Sequence, residues 1–242
     1  SSFLQRAYDQ ALHDVCLQDL PVVIAVDRAG LVGSDGETHQ GVFDLSFLTT
    51  IPNMTVISPK NRWEMADMLR FAMDFRHPVA IRYPRGAAYE GMRKFRAPIE
   101  YGKSEVIYEE EDIAIIFVGH MAELADSVRR SLKATGYNCS LINARFVKPL
   151  DEKLLEELAK DHELFVTIEE NVITGGFGEQ VMDYVSRAAL DVQVRNIGIS
   201  DEYVEHGNVE VLRKEVGLDR DTIAKQAVSD YLRIMEDRKK EK

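Results

Sequence analysis

The sequence predicts an α/β protein made of two doubly wound, mostly parallel-sheet domains. Short apolar runs typical of buried strands alternate with amphipathic stretches typical of helices, and this order favours parallel sheets covered by helices. A stretch without hydrophobic periodicity, between about 86 and 102, separates two such sets. We therefore predict a first domain over 1–88, a linker over 89–101 and a second domain over 102–242.

The first predicted domain begins with an amphipathic helix that Ser2 can cap. Its further elements are expected to be short strands at 21–26, 54–57 and 78–81, a helical segment at 43–48 and a helix from 62 to 75 capped by Asn61. Because no strand precedes the first helix, we expect the chain to be a piece of a longer protein.

The second predicted domain shows a more regular alternation. Its strands are expected at 113–118, 139–143, 164–168 and 192–197, and its helices at 122–134, 151–161, 178–189, 208–215 and 222–236. The segment 102–108 is expected to form a hairpin with 112–118 across an acidic turn.

The composition excludes two classes of partner. The chain has 242 residues, and its 41 acidic side chains against 30 lysines and arginines give a formal charge of -11. A charge of this sign repels nucleic acid and anionic membranes, so we expect neither as a partner. No apolar run is long enough to cross a bilayer. Cys16 and Cys139 lie far apart in apolar surroundings, which favours reduced thiols and a cytoplasmic location.

The most informative stretch is the glycine-rich loop from Asp27 to Asp44, which follows the first apolar strand. Open α/β sheets bind ligands at the carboxyl ends of their strands. Arg28, Asp35 and His39 supply charge and a titratable imidazole within this loop. A solvated surface loop of the same composition is an equally good interpretation. The glycine spacing matches neither the dinucleotide fingerprint nor the phosphate loop, so both nucleotide motifs are excluded.

A second strand end carries Arg85, which follows a proline that stops the strand. Arg85 is either an ordinary surface residue or, together with Arg28, one arm of a phosphate clamp, because guanidinium groups match phosphate oxygens. In the first helix, Arg6 lies beside Phe3 on a mostly apolar stripe. Arg6 is either a solvated edge residue or a group that contacts a ligand.

Other motifs give weaker signals. Glu169-Glu170-Asn171 and the glycines after it lie between a strand and a helix, where an anion or interface contact and a capped tight turn are both typical. His120 receives no predicted role. The six histidines and two cysteines show no metal-ligand spacing, so we predict no metal site. The residues alone therefore predict a site for a small phosphorylated ligand.

Five motifs along the chain form a recognisable set. They are Ser2-Phe-Leu-Gln-Arg-Ala-Tyr-Asp-Gln10, Asp27-Arg-Ala-Gly-Leu-Val-Gly-Ser-Asp-Gly-Glu-Thr-His-Gln-Gly41, Ile81-Arg-Tyr-Pro-Arg-Gly86, Arg145-Phe-Val-Lys-Pro-Leu-Asp151 and Glu169-Glu-Asn171 with Gly175-Gly176. Together they resemble the 1-deoxy-D-xylulose-5-phosphate synthase family, which consists of thiamine-diphosphate enzymes of the transketolase superfamily.

The resemblance implies an enzyme with three domains. This chain would hold a truncated pyrimidine-binding domain, to about Arg85, and a complete transketolase carboxyl-terminal domain. Thiamine diphosphate and Mg²⁺ would be the cofactors of the intact enzyme, which would be a homodimer. The metal motif and the glutamate that activates the cofactor would lie before Ser1, so the fragment is expected to bind neither cofactor and to be inactive alone.

The resemblance also implies roles for residues that bind. Phe3 would stack on the pyrimidine ring of the cofactor, and Arg6 would line the same pocket. Arg28 and Arg85 would bind the phosphate of an aldehyde substrate.

The implied reaction condenses pyruvate with glyceraldehyde 3-phosphate to 1-deoxy-D-xylulose 5-phosphate and CO₂, for isoprenoid, thiamine and pyridoxal synthesis. Asp35 and His39 would be its catalytic residues, because a neutral imidazole can move protons on substrate oxygens near pH 7. Two alternatives stay open. One is a transketolase or a β-type E1 subunit of a 2-oxo acid dehydrogenase, and the other is a non-catalytic split-chain binding protein.

Overall fold

The computed structural model describes residues 1–240 and contains two mixed, mostly parallel sheets with helices, which confirms the predicted fold class. The strands are β1 (Val23–Val26), β2 (Thr55–Ile57), β3 (Val79–Arg82), β4 (Glu105–Tyr108), β5 (Asp112–Phe117), β6 (Cys139–Asn143), β7 (Phe146–Lys148), β8 (His162–Val172) and β9 (Gln193–Ile199). The α-helices are α1 (Tyr8–Gln10), α2 (Asp44–Thr49), α3 (Arg62–Asp74), α4 (Ala122–Ala134), α5 (Glu152–Leu158), α6 (Phe177–Arg187), α7 (Val209–Glu215) and α8 (Arg220–Lys240). Within residues 1–240, none of the helices has the length and apolar composition of a membrane span.

The amino-terminal helical segment is less regular than its apolar spacing predicts. A 3-10 helix (Ser2–Ala7) precedes α1, and a π-helix (Ala11–Cys16) follows it. The predicted Ser2 cap is wrong, because the Ser2 Oγ donates a hydrogen bond to the carbonyl of Gln40 at 2.9 Å. The segment is therefore fixed by a contact with the glycine-rich loop and not by a local cap.

The first sheet has the strand order β1-β3-β2-β7. β1, β3 and β2 are parallel, whereas β7 runs antiparallel to β2. β7 comes from the chain after residue 102, so a segment of the predicted second domain completes the first sheet. A strand of three residues is too short to show a periodicity in the sequence.

The second sheet has the order β4-β6-β5-β8-β9 and corrects one prediction. β4 pairs antiparallel with β6 and not with β5, so the predicted hairpin is wrong. The acidic turn between β4 and β5 is held by α4 instead, because Glu110 accepts hydrogen bonds from Arg129 and, at 2.6 Å, from Lys133. β5, β6, β8 and β9 are parallel, as predicted.

The two sheets share a hydrophobic core. Successive residues of a strand point to opposite faces, and β5 therefore contributes to two cores. Ile115 packs on the side of α4 and α8. Ile116 belongs to the core that also contains Leu48 of α2 and Val56 of β2. The first sheet and α2 thus pack directly against the second sheet.

A buried ionic network, formed by Lys60, Glu64, Glu105 and Arg145, also joins the two sheets. The Lys60 Nζ lies 2.8 Å from Glu64 and 2.6 Å from Glu105. Arg145 contacts the same two carboxylates at 2.7 and 2.9 Å. Burial would raise the pKa of Glu105, but Lys60 and Arg145 outweigh this effect and lower it. Two acids and two bases balance each other, which makes the burial of all four charges tolerable.

We predict that Glu64→Gln lowers the free energy of unfolding by about 3–5 kcal/mol, because it leaves buried positive charge uncompensated. Glu90→Gln is the matched control, since Glu90 pairs with Arg62 where both side chains are mostly exposed. This control should change stability by less than about 1 kcal/mol. Urea unfolding of the three proteins measures both effects, and equal losses in the two variants would contradict the prediction.

Candidate functional site

The glycine-rich loop closes on itself at its base. Gly30 and Gly41 exchange two backbone hydrogen bonds of 2.7 Å. A Cβ on Gly41 would lie 2.1 Å from the carbonyl oxygen of Arg28, and a Cβ on Gly30 would lie 1.9 Å from an oxygen of Glu170. Gly30 also has a φ of 78°. These positions therefore require glycine, and the close approach defines the ends of the loop.

A buried ion pair fixes the carboxyl end of the loop. The Nε of Arg82, at the end of β3, lies 2.9 and 3.0 Å from the two carboxylate oxygens of Asp44, and both side chains are fully buried. The Nη2 of Arg82 donates to the carbonyl of Glu170 in β8 at 2.8 Å. One guanidinium thus joins the first sheet, the loop and the second sheet. Sequence reasoning missed Arg82, although a charged residue at the end of the apolar run Val79-Ala-Ile81 is a usable signal.

The carboxylate of Glu170 holds the loop from the second sheet. Its Oε2 accepts hydrogen bonds from the N–H of Leu31 at 3.1 Å and from the Nε2 of His120 at 2.7 Å. Its Oε1 accepts from the Nε of Arg213 at 2.5 Å. Burial alone would raise the pKa of Glu170, but His120 and Arg213 lower it to about 2. Glu170 is therefore ionised, and it makes the interface contact that was one of the two interpretations of its motif.

The neighbouring Glu169 makes the other predicted contact. It accepts hydrogen bonds from the N–H groups of Phe177 and Gly178, both at 2.8 Å, at the start of α6. Burial raises the pKa of Glu169 to about 7, although these two backbone bonds oppose the shift. The motif thus combines a capped helix with an interface contact.

Three of the predicted site residues meet at the surface. The Nη1 of Arg85 lies 2.8 Å from the Oδ2 of Asp35, and the Nη1 of Arg28 lies 3.6 Å from the same oxygen. The two arginine side chains are 49% and 51% exposed. Arg28 has a left-handed φ of 61°, and its N–H donates to the Oδ1 of Asp27 at 2.6 Å. Two guanidinium groups therefore converge on one acceptor and remain open to solvent.

The other three predicted site residues form a second group. The ring of His39 meets the ring of Phe3 edge-on, with 5.1 Å between centroids, and the guanidinium of Arg6 lies 5.8 Å from the Phe3 centroid. The Nδ1 of His39 lies 2.8 Å from the Oγ1 of Thr38. Within residues 1–240, no hydrogen bond or ion pair joins the side chains of this group to Arg28, Asp35 or Arg85. The structure thus forms two groups, each of which includes at least one residue of the glycine-rich loop, and no such bond links them in the described part of the chain.

A cavity of about 430 Å³ lies beside the first group, between the two sheets. Tyr83 and Arg85 line it from the first sheet, whereas His120, Glu170 and Arg213 line it from the second. His120, for which sequence reasoning gave no role, is thus both a partner of Glu170 and a wall of the cavity. The sequence does not indicate this position of His120, because the position results from packing between distant segments.

Two family models match the chain. The transketolase pyrimidine binding domain matches residues 1–90, and the transketolase C-terminal domain matches residues 102–223. The 1-deoxy-D-xylulose-5-phosphate synthase of Lachnoclostridium phytofermentans is 52% identical over 92% of this chain and 36% of its own length. That of Aquifex aeolicus is 47% identical over 96% of this chain and 37% of its own length. The chain therefore spans little more than a third of these relatives, and the resemblance predicted from the motifs is confirmed.

Solved structures show the same fold. A split gene transketolase, described as an inactive β4 tetramer, superimposes with a TM-score of 0.88 at 27% identity, covering 96% of this chain and 74% of that one. A transketolase from Campylobacter jejuni has a TM-score of 0.76 at 16% identity, covering 94% of this chain and 34% of that one, which shows the fold alone. The chain belongs to the transketolase family, of which it carries the pyrimidine-binding and carboxyl-terminal domains.

Proposed function

We propose that this chain is part of a thiamine-diphosphate-dependent 1-deoxy-D-xylulose-5-phosphate synthase. The reaction would condense pyruvate with glyceraldehyde 3-phosphate to give 1-deoxy-D-xylulose 5-phosphate and CO₂. The synthases of Lachnoclostridium phytofermentans and Aquifex aeolicus, similar along nearly the whole chain, support this proposal. The observation that carries it is the convergence of Arg28 and Arg85 on a single carboxylate oxygen.

The two arginines are suited to the phosphate of the aldehyde. Charge-assisted bonds from guanidinium to phosphate are strong and directional, and both side chains are open to solvent. Before the substrate arrives, Asp35 holds the two guanidinium groups in position. His39 would transfer protons at the substrate oxygens through Nε2, because its Nδ1 is engaged by Thr38.

The residues present fit the ring of the cofactor. Thiamine diphosphate would supply the carbanion chemistry when bound. Phe3 is 58% exposed and would stack on the pyrimidine, with Arg6 beside it. Residues 1–240 contain no group of three or more His, Cys, Asp or Glu side chains placed to hold a metal ion. Since the relatives are much longer than this chain, we propose that the diphosphate and Mg²⁺ bind outside it and that the chain alone is inactive.

The organisation of the protein follows from the same proposal. We propose domains over 1–88 and 102–242 with a linker over 89–101, supported by the two family matches and by the lack of helices and strands between β3 and β4. The intact enzyme would be a cytoplasmic homodimer without nucleic acid or membrane partners. The free, buried thiols of Cys16 and Cys139 are consistent with a reducing compartment.

A transketolase is the second candidate function. The likeness to a split gene transketolase, at 27% identity over 96% of this chain, favours it. An assay with pyruvate as donor, compared with an assay using a ketose phosphate donor, separates the two activities. Turnover of the ketose donor alone would replace the synthase proposal.

We predict that the isolated chain does not bind thiamine diphosphate tightly, with or without Mg²⁺. The groups that would hold the diphosphate and the metal are proposed to lie elsewhere, and ring stacking alone contributes only about 0.5–1.5 kcal/mol. Titration calorimetry measures this affinity, and a submicromolar dissociation constant would contradict the prediction.

We predict that Arg28→Ala and Arg85→Ala each raise the KM for glyceraldehyde 3-phosphate by roughly 10- to 100-fold, since each removes a charge-assisted contact of about 1.5–3 kcal/mol. The measurement uses an enzyme completed with the amino-terminal part of the Lachnoclostridium phytofermentans relative. Arg62→Ala is the control, because Arg62 is an exposed arginine on α3 paired with Glu90. An unchanged KM in both site variants would exclude the phosphate clamp.

A further inference from the structure

Gln40, the residue after His39, is a buried polar residue of the glycine-rich loop that the proposed function does not use. It is only 2% exposed. Its Oε1 accepts a hydrogen bond from the N–H of Val32 at 2.8 Å, and its Nε2 donates to the carbonyl of Glu205 at 3.0 Å. Both ends of the amide are therefore paired, one within the loop and the other with the carboxyl-terminal domain.

The backbone of Gln40 joins the segments that carry the two rings of the second group. Its carbonyl accepts a hydrogen bond from the Oγ of Ser2 at 2.9 Å. Ser2 directly precedes Phe3, and Gln40 directly follows His39. This bond therefore connects the residues next to the two rings that meet edge-on. A shift of Gln40 would change how the imidazole lies relative to the Phe3 ring.

An amide is the side-chain group that satisfies both partners of Gln40. The N–H of Val32 needs an acceptor and the carbonyl of Glu205 needs a donor, and an amide offers one of each. An apolar side chain of similar length would leave both groups without these bonds. Because unpaired buried polar groups cost free energy, the loop would then move to let water reach them. The consecutive residue His39 would move with it.

We propose that Gln40 is a positioning residue for proton transfer by His39. The amide connects the loop to the backbone of Glu205, and in this way the carboxyl-terminal domain sets the position of the imidazole relative to Phe3. Gln40 itself contacts neither the substrate nor the cofactor. This inference rests on the proposed synthase function, because that function assigns the proton transfer to His39.

The phosphate clamp has supports of its own. Arg28 and Arg85 follow the ends of two strands, and both reach the Oδ2 of Asp35. Within residues 1–240, no hydrogen bond joins the side chain of Gln40 to any of these three residues. Loss of the amide should therefore lower kcat much more than it raises the KM for glyceraldehyde 3-phosphate.

Steady-state kinetics of Gln40→Met test the proposal, in the enzyme completed with the amino-terminal part of the Lachnoclostridium phytofermentans relative. We expect kcat to fall at least about tenfold, while the KM for glyceraldehyde 3-phosphate changes less than about threefold. Gln18→Met is the matched control, because Gln18 is exposed, and it should change kcat less than about twofold. Circular dichroism checks folding. If Gln40→Met does not fold, Gln40→Glu takes its place, because an ionised carboxylate still accepts from Val32 but cannot donate to Glu205.

A double-mutant cycle with His39→Ala separates positioning from a merely structural role. Because Gln40 acts through His39, adding Gln40→Met to His39→Ala should lower kcat less than about threefold further. An unchanged kcat in Gln40→Met, or losses that multiply in the double variant, would overturn this inference and leave the proposed function in place. Absence of synthase turnover in the unchanged enzyme would instead overturn the proposed function and this inference with it.

Discussion

One buried ion pair, Arg82 with Asp44, fixes the geometry on which the candidate site depends. Neither side chain is exposed, so each buried charge is stabilised by the other. The loss of one side chain would leave an unpaired charge in the interior of the protein. Arg82 is the last residue of β3, and Asp44 is the first residue of α2. The pair therefore holds the carboxyl end of the glycine-rich loop close to the sheet from which the loop starts. The bond from Arg82 to the carbonyl of Glu170 places β8 at the same point.

The loop is held along its length as well as at its end. Gln40 is buried, and it accepts a hydrogen bond from the N–H of Val32 at 2.8 Å while donating to the carbonyl of Glu205 at 3.0 Å. The Leu31 N–H is bound by Glu170, and the Gly207 N–H donates to the carbonyl of Gly33 at 3.3 Å. The carboxyl-terminal domain therefore shapes a loop that belongs to the pyrimidine-binding domain. A site whose groups are positioned before binding loses less entropy when the ligand arrives.

Local patterns in the sequence predict much of this fold. The features that depend on contacts between distant segments could not be predicted from such patterns. The Asn61 cap is confirmed, since its side chain accepts from the N–H of Glu64 at 3.0 Å, three residues away. Strand-end topology also predicts that Arg28 and Arg85 lie close together, although their roles stay predictions. In contrast, β7 and the bond from Arg82 to Glu170 involve segments about ninety residues apart in sequence. Periodicity reports which face of an element is buried and carries no information on which distant polar group lies opposite.

The central claim is that the Arg82–Asp44 pair holds the glycine-rich loop in its shape. Amide hydrogen exchange in the chain and in its Asp44→Asn variant tests this directly, with Asp74→Asn, an exposed position at the end of α3, as the control. We expect the amides of Gly30, Leu31 and Gly41 to exchange at least about tenfold faster in Asp44→Asn, while those of α4 keep their rates. Unchanged rates in the loop, or equal acceleration along the whole chain, would contradict the claim.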